Sequence, residues 1–380
     1  MLDDQAMAYV ESCQEELGAL LWTLCGIPAP SGREERRAAF IEGWLHDTGA
    51  RGAFTDEAGN VILPLGDEGG PVTLLMAHTD TVFPDLEPMP RRVEDGVMYC
   101  PGVGDDTASV AVLMLAARYA VQRNLRPAQG ALVFAFNTCE EGLGNLKGCR
   151  ALMERYGARA QAVISLDSTL GGMCDRAVGS ERYRITARTE GGHSYAAFGN
   201  RNAIHALSEL VCALYAQRVP EGGRTTYNVG VIEGGTSVNA IAQEASMLYE
   251  YRSDERRCLE AMRASLRARV EAMRVDGLDL TVELIGERPC MGEVDPERQR
   301  ALVRRCADAV ERAAGERPRA SAGSTDCNVP LSMGIPAVCM GAYVGGGAHT
   351  RGEWVRLDSL PLGLRAALDV ALGFLNGMEA

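Results

Sequence analysis

At 380 residues, with 46% apolar and 23% charged side chains, the chain is long enough for one large domain or two ordinary ones, and its composition is globular rather than disordered. A net charge of −13 argues against nonspecific binding of phosphate backbones, which needs a basic patch. The twelve cysteines are scattered with no Cys-x-x-Cys, no apolar run approaches the roughly 18 residues of a membrane span, and Met1-Leu2-Asp3-Asp4-Gln5 lacks the basic and apolar segments of a signal peptide. The expectation is a cytoplasmic protein with reduced thiols and with neither nucleic-acid nor membrane partners.

The spacing of Met7, Val10, Leu17, Leu20, Leu21 and Leu24 predicts a helix over 5–25, broken by Gly26-Ile27-Pro28-Ala29-Pro30-Ser31-Gly32. Ser31 is placed to cap a second helix that opens at Glu34-Glu35 and runs to about Thr48. Residues 51–65 read as two strands around a turn at Ala58-Gly59-Asn60. Leu74-Leu75-Met76-Ala77-His78-Thr79-Asp80 then reads as a buried strand that ends in polar residues. Residues two apart share a face of an extended chain, so His78 and Asp80 project together, as a ligating imidazole and its orienting carboxylate do. Alone, such a pair more often marks a surface turn.

Residues 84–104, rich in Pro and Gly, read as a loop. Asp105-Asp106 stand before the buried helix that begins at Ser109, and an N-cap accounts for one carboxylate better than for two. Ala131–Thr138 and Ala162–Asp167 are further apolar strands, followed by Glu140-Glu141 and ending in Asp167. Apolar strands alternating with helices predict an α/β domain, a mixed and mostly parallel sheet flanked by helices. Ligands in such sheets sit beyond the carboxyl ends of the strands, where all these polar residues fall.

From about residue 180 the pattern becomes strand 183–189, helix 202–217, strands 226–232 and 245–251, helix 255–274 and strand 278–285. That β-α-β-β-α-β order predicts a ferredoxin-like α+β domain over 180–288, inserted into a domain made of 1–179 and 289–380. The latter resumes with a helix over 296–314, a strand over 335–341, the turn Gly347-Ala348-His349-Thr350 and a last helix over about 359–376.

The strand-end residues are two histidines and several carboxylates without cysteine, a donor set suited to zinc, cobalt or manganese rather than calcium or magnesium. His78-Thr79-Asp80, Gly104-Asp105-Asp106, Glu140-Glu141-Gly142, Asp167 and Gly347-Ala348-His349-Thr350 occur in the order and settings of a known pattern. Together they resemble the dinuclear-zinc exopeptidase and amidohydrolase family of glutamate carboxypeptidase, peptidase T, carnosinase, aminoacylase and succinyl-diaminopimelate desuccinylase. The resemblance covers nearly the whole chain and implies two divalent metal ions. Asp105 would bridge them, His78 and Asp167 would complete one, and Glu141 and His349 the other. Three carboxylates and one bridging hydroxide would balance the four positive charges. Asp80 would orient His78, Glu140 would be the general base for that hydroxide, and the Asp105–Asp106 bond would be cis.

In the inserted domain the resemblance makes His193, in Gly191-Gly192-His193-Ser194, the residue that stabilises an oxyanion across a homodimer, and the domain a lid and dimerisation element. Asn239 would contact substrate, and Arg252 would bind a substrate carboxylate or else be a plain surface residue of its strand. Thr325 and Asp326 would lie near the site. His46 and His205 match no block and read as structural. Thr107-Ala108 replaces the Lys-containing pair common after Asp105-Asp106 in relatives, which leaves the metal reading intact and the subfamily open. The function implied is hydrolysis of a di- or tripeptide, with an N-acyl amino acid or similar small amide as the alternative substrate. A metal-binding protein without turnover would have no use for a free base at Glu140.

Overall fold

The computed structural model describes residues 2–375. Helices α1 (Asp4–Ser12), α2 (Gln14–Cys25) and α3 (Glu35–Asp47) lead into strands β1 (Phe54–Thr55), β2 (Val61–Gly66) and β3 (Val72–His78). A hairpin of β4 (Arg92–Glu94) and β5 (Val97–Tyr99) follows, then α4 (Ser109–Gln122), β6 (Ala131–Asn137), α5 (Lys147–Tyr156), β7 (Ala160–Leu166) and β8 (Gly172–Ala177). Next come β9 (Gly179–Arg188), β10 (Gly192–His193), α6 (Ala203–Tyr215), β11 (Thr225–Gly234), β12 (Ala240–Ile241), β13 (Glu244–Ser253), α7 (Arg256–Ala272) and β14 (Asp279–Arg288). The chain ends with α8 (Pro296–Ala314), β15 (Arg319–Gly323), α9 (Asn328–Ser332), β16 (Ala337–Met340), β17 (Gly345–Gly346), β18 (Trp354–Arg356) and α10 (Leu360–Leu375). The expected last residue of that helix, Asn376, lies outside the described residues.

The chain divides into two compact units, one built from residues up to Ala177 and from Gly292 onwards, the other Val178–Met291. In the first, eight strands form a mixed sheet in the order β1-β2-β6-β3-β7-β16-β8-β15. Its centre is parallel: β3 pairs with β6 on one side and β7 on the other, and β7 with β16. Every residue of β3 and β6 is buried, as continuous apolar runs in a sheet covered on both faces require. Helix α4, whose residues 109–117 are all buried, packs with α2 and α10 into the same core. His78 pairs in register with Asn137, so the polar segments after β3 and β6 leave the sheet side by side.

The second unit is an antiparallel sheet in the order β11-β13-β9-β14, the ferredoxin-like arrangement, with α6 and α7 packed on it through Leu207, Leu210, Met262 and Leu266. Among the described residues no helix is long and apolar enough to cross a membrane.

Two expectations are corrected, and one pair of strands went unforeseen. The helix over 5–25 is two helices parted at Cys13, whose N–H turns back to the carbonyls of Tyr9 and Val10. The segment 84–104 is not loop throughout. Asp95 and Gly96, both at positive φ, make the tight turn of the β4–β5 hairpin, and β5 pairs with β18 in a small second sheet. The polar, half-exposed strands β8 and β15 add an edge to the main sheet that no apolar run announced.

Candidate metal centre

His78 ends β3 with its ring buried. Its Nδ1 lies 3.1 Å from the Asp80 carbonyl and 3.4 Å from Asp80 Oδ1. Its Nε2 therefore faces the other way, 3.1 Å from Asp105 Oδ1 and 4.0 Å from Asp167 Oδ1. Asp80 has no exposed surface. Its Oδ1 accepts the Glu140 N–H, and its Oδ2 accepts the Glu141 N–H and, at 2.6 Å, the Ser31 hydroxyl. One residue thus holds the imidazole, through its carbonyl and Oδ1, and through its carboxylate the turn that presents Glu140 and Glu141. Burial pushes the Asp80 pKa up, but His78, Ser31 and the backbone donors outweigh it and hold the group below its ordinary value.

Ser31 is therefore not a helix cap. The helix cap position is Glu34, which makes no side-chain cap bond. Its Oε1 instead accepts the N–H groups of Gly32 and Cys139, fixing the start of the Glu140 turn. Asn60 works on the same turn, accepting the Thr138 N–H at 3.1 Å and donating to the Gly148 carbonyl at 3.0 Å.

Asp105 sits at the middle of the cluster. Its Oδ1 faces His78 and its Oδ2 lies 3.1 Å from His349 Nε2, which is 2.9 Å from Glu141 Oε1. The peptide bond from Asp105 to Asp106 is cis. His349 has φ of 64° in the turn after Gly347, closed by the Thr350 N–H and hydroxyl on the Gly347 carbonyl, and this aims the ring at Asp105 and Glu141. Donor atoms of His78, Asp105 and Glu141 all lie within 4.8 Å of one another.

The electrostatics fit cations at this place. Burial, then the Asp105 charge, push Glu141 up to about 7 and raise Asp167 well above the carboxylate range. The Asp105 hydrogen bond, helped by Glu141, lifts His349 to about 9. Crowded carboxylates that keep protons, and an imidazole that stays charged, mark a site with more negative charge than its own side chains can balance. The donor set, imidazole nitrogens and carboxylate oxygens, suits zinc, cobalt or manganese.

Several further groups surround it, of which only Asp326 was expected near the site. Glu353, almost fully buried, accepts the backbone N–H groups of Gly102, Gly104 and Asp105. Asp326 accepts from Asn137 Nδ2 at 2.6 Å; burial, then the Glu140 charge, push it up to about 7. Arg37, buried, donates to the carbonyls of Leu24, Ile27 and Thr79 and to the Thr107 hydroxyl. Of the two unmatched histidines, His46 bonds to the Ala53 carbonyl and His205 is exposed on α6 beside Glu209.

In the second unit, β10 and β12 pair His193 with Ala240, and the Ser194 N–H donates to the Asn239 carbonyl. His193 and Asn239 are thereby neighbours, both exposed. The N–H groups of Tyr195 and Ala196 point at His193 Nδ1, which leaves Nε2 to carry the proton. Arg252 is not beside them. It lies eight residues along β13 from Glu244, about 26 Å at the usual strand rise, with its guanidinium on Glu250.

Comparison with known proteins agrees with this fold. Residues 74–372 match the model of peptidase family M20/M25/M40. The chain belongs to that family. It is 29% identical over 346 residues to a succinyl-diaminopimelate desuccinylase of Corynebacterium glutamicum, covering 89% of this chain and 91% of the relative. It is 24% identical over 388 residues to carboxypeptidase G2 of a Pseudomonas species, covering 96% and 92%. A tripeptidase of Staphylococcus aureus has the same fold, with a TM-score of 0.75 at 21% identity over 96% of this chain and 99% of that one. The M20 chain described here is accordingly a metal-binding hydrolase of C–N amide bonds.

Proposed function

We propose that this M20 enzyme is a two-metal exopeptidase acting on di- or tripeptides. The observation that carries the reading is the Asp105 carboxylate, which offers one oxygen to His78 and the other to His349. A single-ion site has no use for that division. His78, Asp167 and Asp105 Oδ1 would hold one ion, zinc in the first instance, and Glu141, His349 and Asp105 Oδ2 the second. Such a pair, when bound, polarises the scissile carbonyl and acidifies water beside it.

Glu140 stands next to ligand Glu141 on the turn that Asp80 and Asn60 hold. In this reading its carboxylate takes the proton of the attacking water and returns one to the leaving amine. His193 donates a hydrogen bond from Nε2–H to the developing oxyanion, Asn239 orients the substrate amide, and Arg252 exchanges Glu250 for a substrate carboxylate. About 26 Å of strand separates the Arg252 end from the His193 corner, too far for both to meet one small peptide. The inserted domain would therefore serve two sites in a homodimer, with His193 acting on the partner chain.

A second reading, an N-acyl amino acid deacylase with the same site, is favoured by the likeness to a desuccinylase. The test is hydrolysis of a panel of dipeptides, tripeptides and N-acyl amino acids with zinc, cobalt or manganese and a chelator control. Chelator-sensitive release of amino acids from peptides supports the exopeptidase, and blocked termini then show which end is recognised. Cleavage of acyl amino acids alone moves the assignment to the deacylase. No turnover at full metal occupancy sinks both.

A further inference from the structure

The backbone around Asp105 is anchored on two sides, each time by a carboxylate. After Asp105, the Asp106 carboxylate accepts the His78 N–H at 3.0 Å, tying the chain to the end of β3. Before and at Asp105, the Glu353 carboxylate takes three backbone donors, Gly102 at 2.6 Å on Oε2 and Gly104 and Asp105 at 2.9 and 2.8 Å on Oε1. Glu353 stands in the β17–β18 connection four residues after His349, and its own N–H bonds to the Thr350 carbonyl. The Cys100 N–H returns to the Glu353 carbonyl. The Asp105 loop and the His349 turn are thus fastened together through one residue, from both its side chain and its backbone.

The two halves of the cluster differ in what else holds them. His78 is a buried strand residue with its Nδ1 fixed by Asp80. His349 is 57% exposed on a turn. We propose that Glu353 is a positioning residue that sets Asp105 Oδ2 against His349, and so governs the ion held by Asp105, Glu141 and His349 while sparing the one held by Asp105, His78 and Asp167. The inference rests on the two-ion reading above. Three charge-assisted hydrogen bonds to backbone donors are a strong clamp, and an amide in place of the carboxylate turns an N–H against an N–H.

The test is zinc titration of metal-free wild-type, Glu353→Gln and Glu353→Asp proteins by calorimetry, with stoichiometry from elemental analysis and the cobalt-loaded forms read by electron paramagnetic resonance. Glu353→Gln is expected to bind one ion as the wild type does and the other about 10–100-fold more weakly, the usual effect of removing a group that supports a metal ligand. The cobalt–cobalt coupling should fade at sub-saturating metal, and Glu353→Asp, which keeps the charge, should recover part of it. Two unchanged affinities overturn the proposal, and so does a parallel loss of both ions, which is the mark of general loosening. If Glu353→Gln gives no folded protein, the same split between the two ions is sought in Glu353→Asp. Wild-type protein that takes up one ion only refutes the two-ion reading beneath the inference instead.

Discussion

Adjacent carboxylates do different work here because of which atoms reach them. Asp80 is surrounded by donors, from His78, Ser31 and the N–H groups of Glu140 and Glu141. Asp80→Ala strands buried donors at about 1–3 kcal/mol for each one left unpaired and removes the carboxylate beside His78 Nδ1, leaving the ring only the main-chain carbonyl of residue 80. Denaturant unfolding of the metal-free variant should register that loss, and zinc affinity should drop about 10–100-fold. Wild-type stability and affinity in the variant would mean that Asp80 is a bystander. Glu140 is assigned the opposite behaviour, chemistry without ligation. Glu140→Gln keeps the volume and removes the base, so kcat should fall by about 10²–10⁴ with zinc content unchanged. A variant that loses metal would make Glu140 a ligand, and the proposed proton transfer would have no carrier.

At the scale of elements, the site depends on how β3 and β6 end. Asn60, fully buried at the start of β2, holds the exit of β6 through Thr138 and Gly148. Asn60→Ala should cost about 1–3 kcal/mol for the buried donor and acceptor it leaves, and should lower kcat because Thr138 stands two residues before Glu140. An unchanged melting temperature would show that the turn holds without it. This is also where legibility in the sequence ends. The apolar runs of β3, β6 and β7 announce themselves because burial on both faces demands them, and the polar residues just beyond stand out by contrast. The same contrast exposes the β-α-β-β-α-β order of the inserted unit. Ser31, Glu34, Asn60 and Glu353 carry no such local mark. The partners through which they support the site lie between 49 and 251 residues away, so nothing in their own neighbourhood records those contacts. The β4–β5 hairpin is a different case, since Asp95-Gly96 is a local turn signal, overshadowed by the surrounding Pro and Gly.

At the scale of the whole molecule, the cluster links folding to protons and, in the proposed dimer, one chain to another. Without metal, Glu141, Asp326 and Glu353 are each raised by burial to about 7, and His349 is raised by Asp105 to about 9. Unfolding returns these groups to about 4.3 or below for carboxylates and about 6.5 for His. Between pH 5 and 9 the folded metal-free chain therefore binds more protons than the unfolded one, and its stability falls as pH rises. Asp80 and Asp105, both lowered, act in the opposite sense, but only as pH falls below the range in which unfolded Asp ionises. Thermal unfolding in chelator should give a melting temperature that declines from pH 6 to 9, and zinc should flatten the decline because cations take the place of the protons. A flat or rising profile in chelator would contradict the charge balance drawn for the site. The link between chains has a sharper test. If His193 acts on the partner, a His193→Ala chain keeps an intact Glu140 site that lacks only the partner's imidazole, and a Glu140→Ala chain has that imidazole to give. Each variant alone should lose about 10²–10³-fold or more in kcat. Mixed under conditions that allow subunit exchange, they should regain a fraction of wild-type activity from the one complete site in each heterodimer. No recovery in a mixture shown by mass to contain heterodimers would confine His193 to its own chain, and the reading that one inserted domain serves two sites would fall with it.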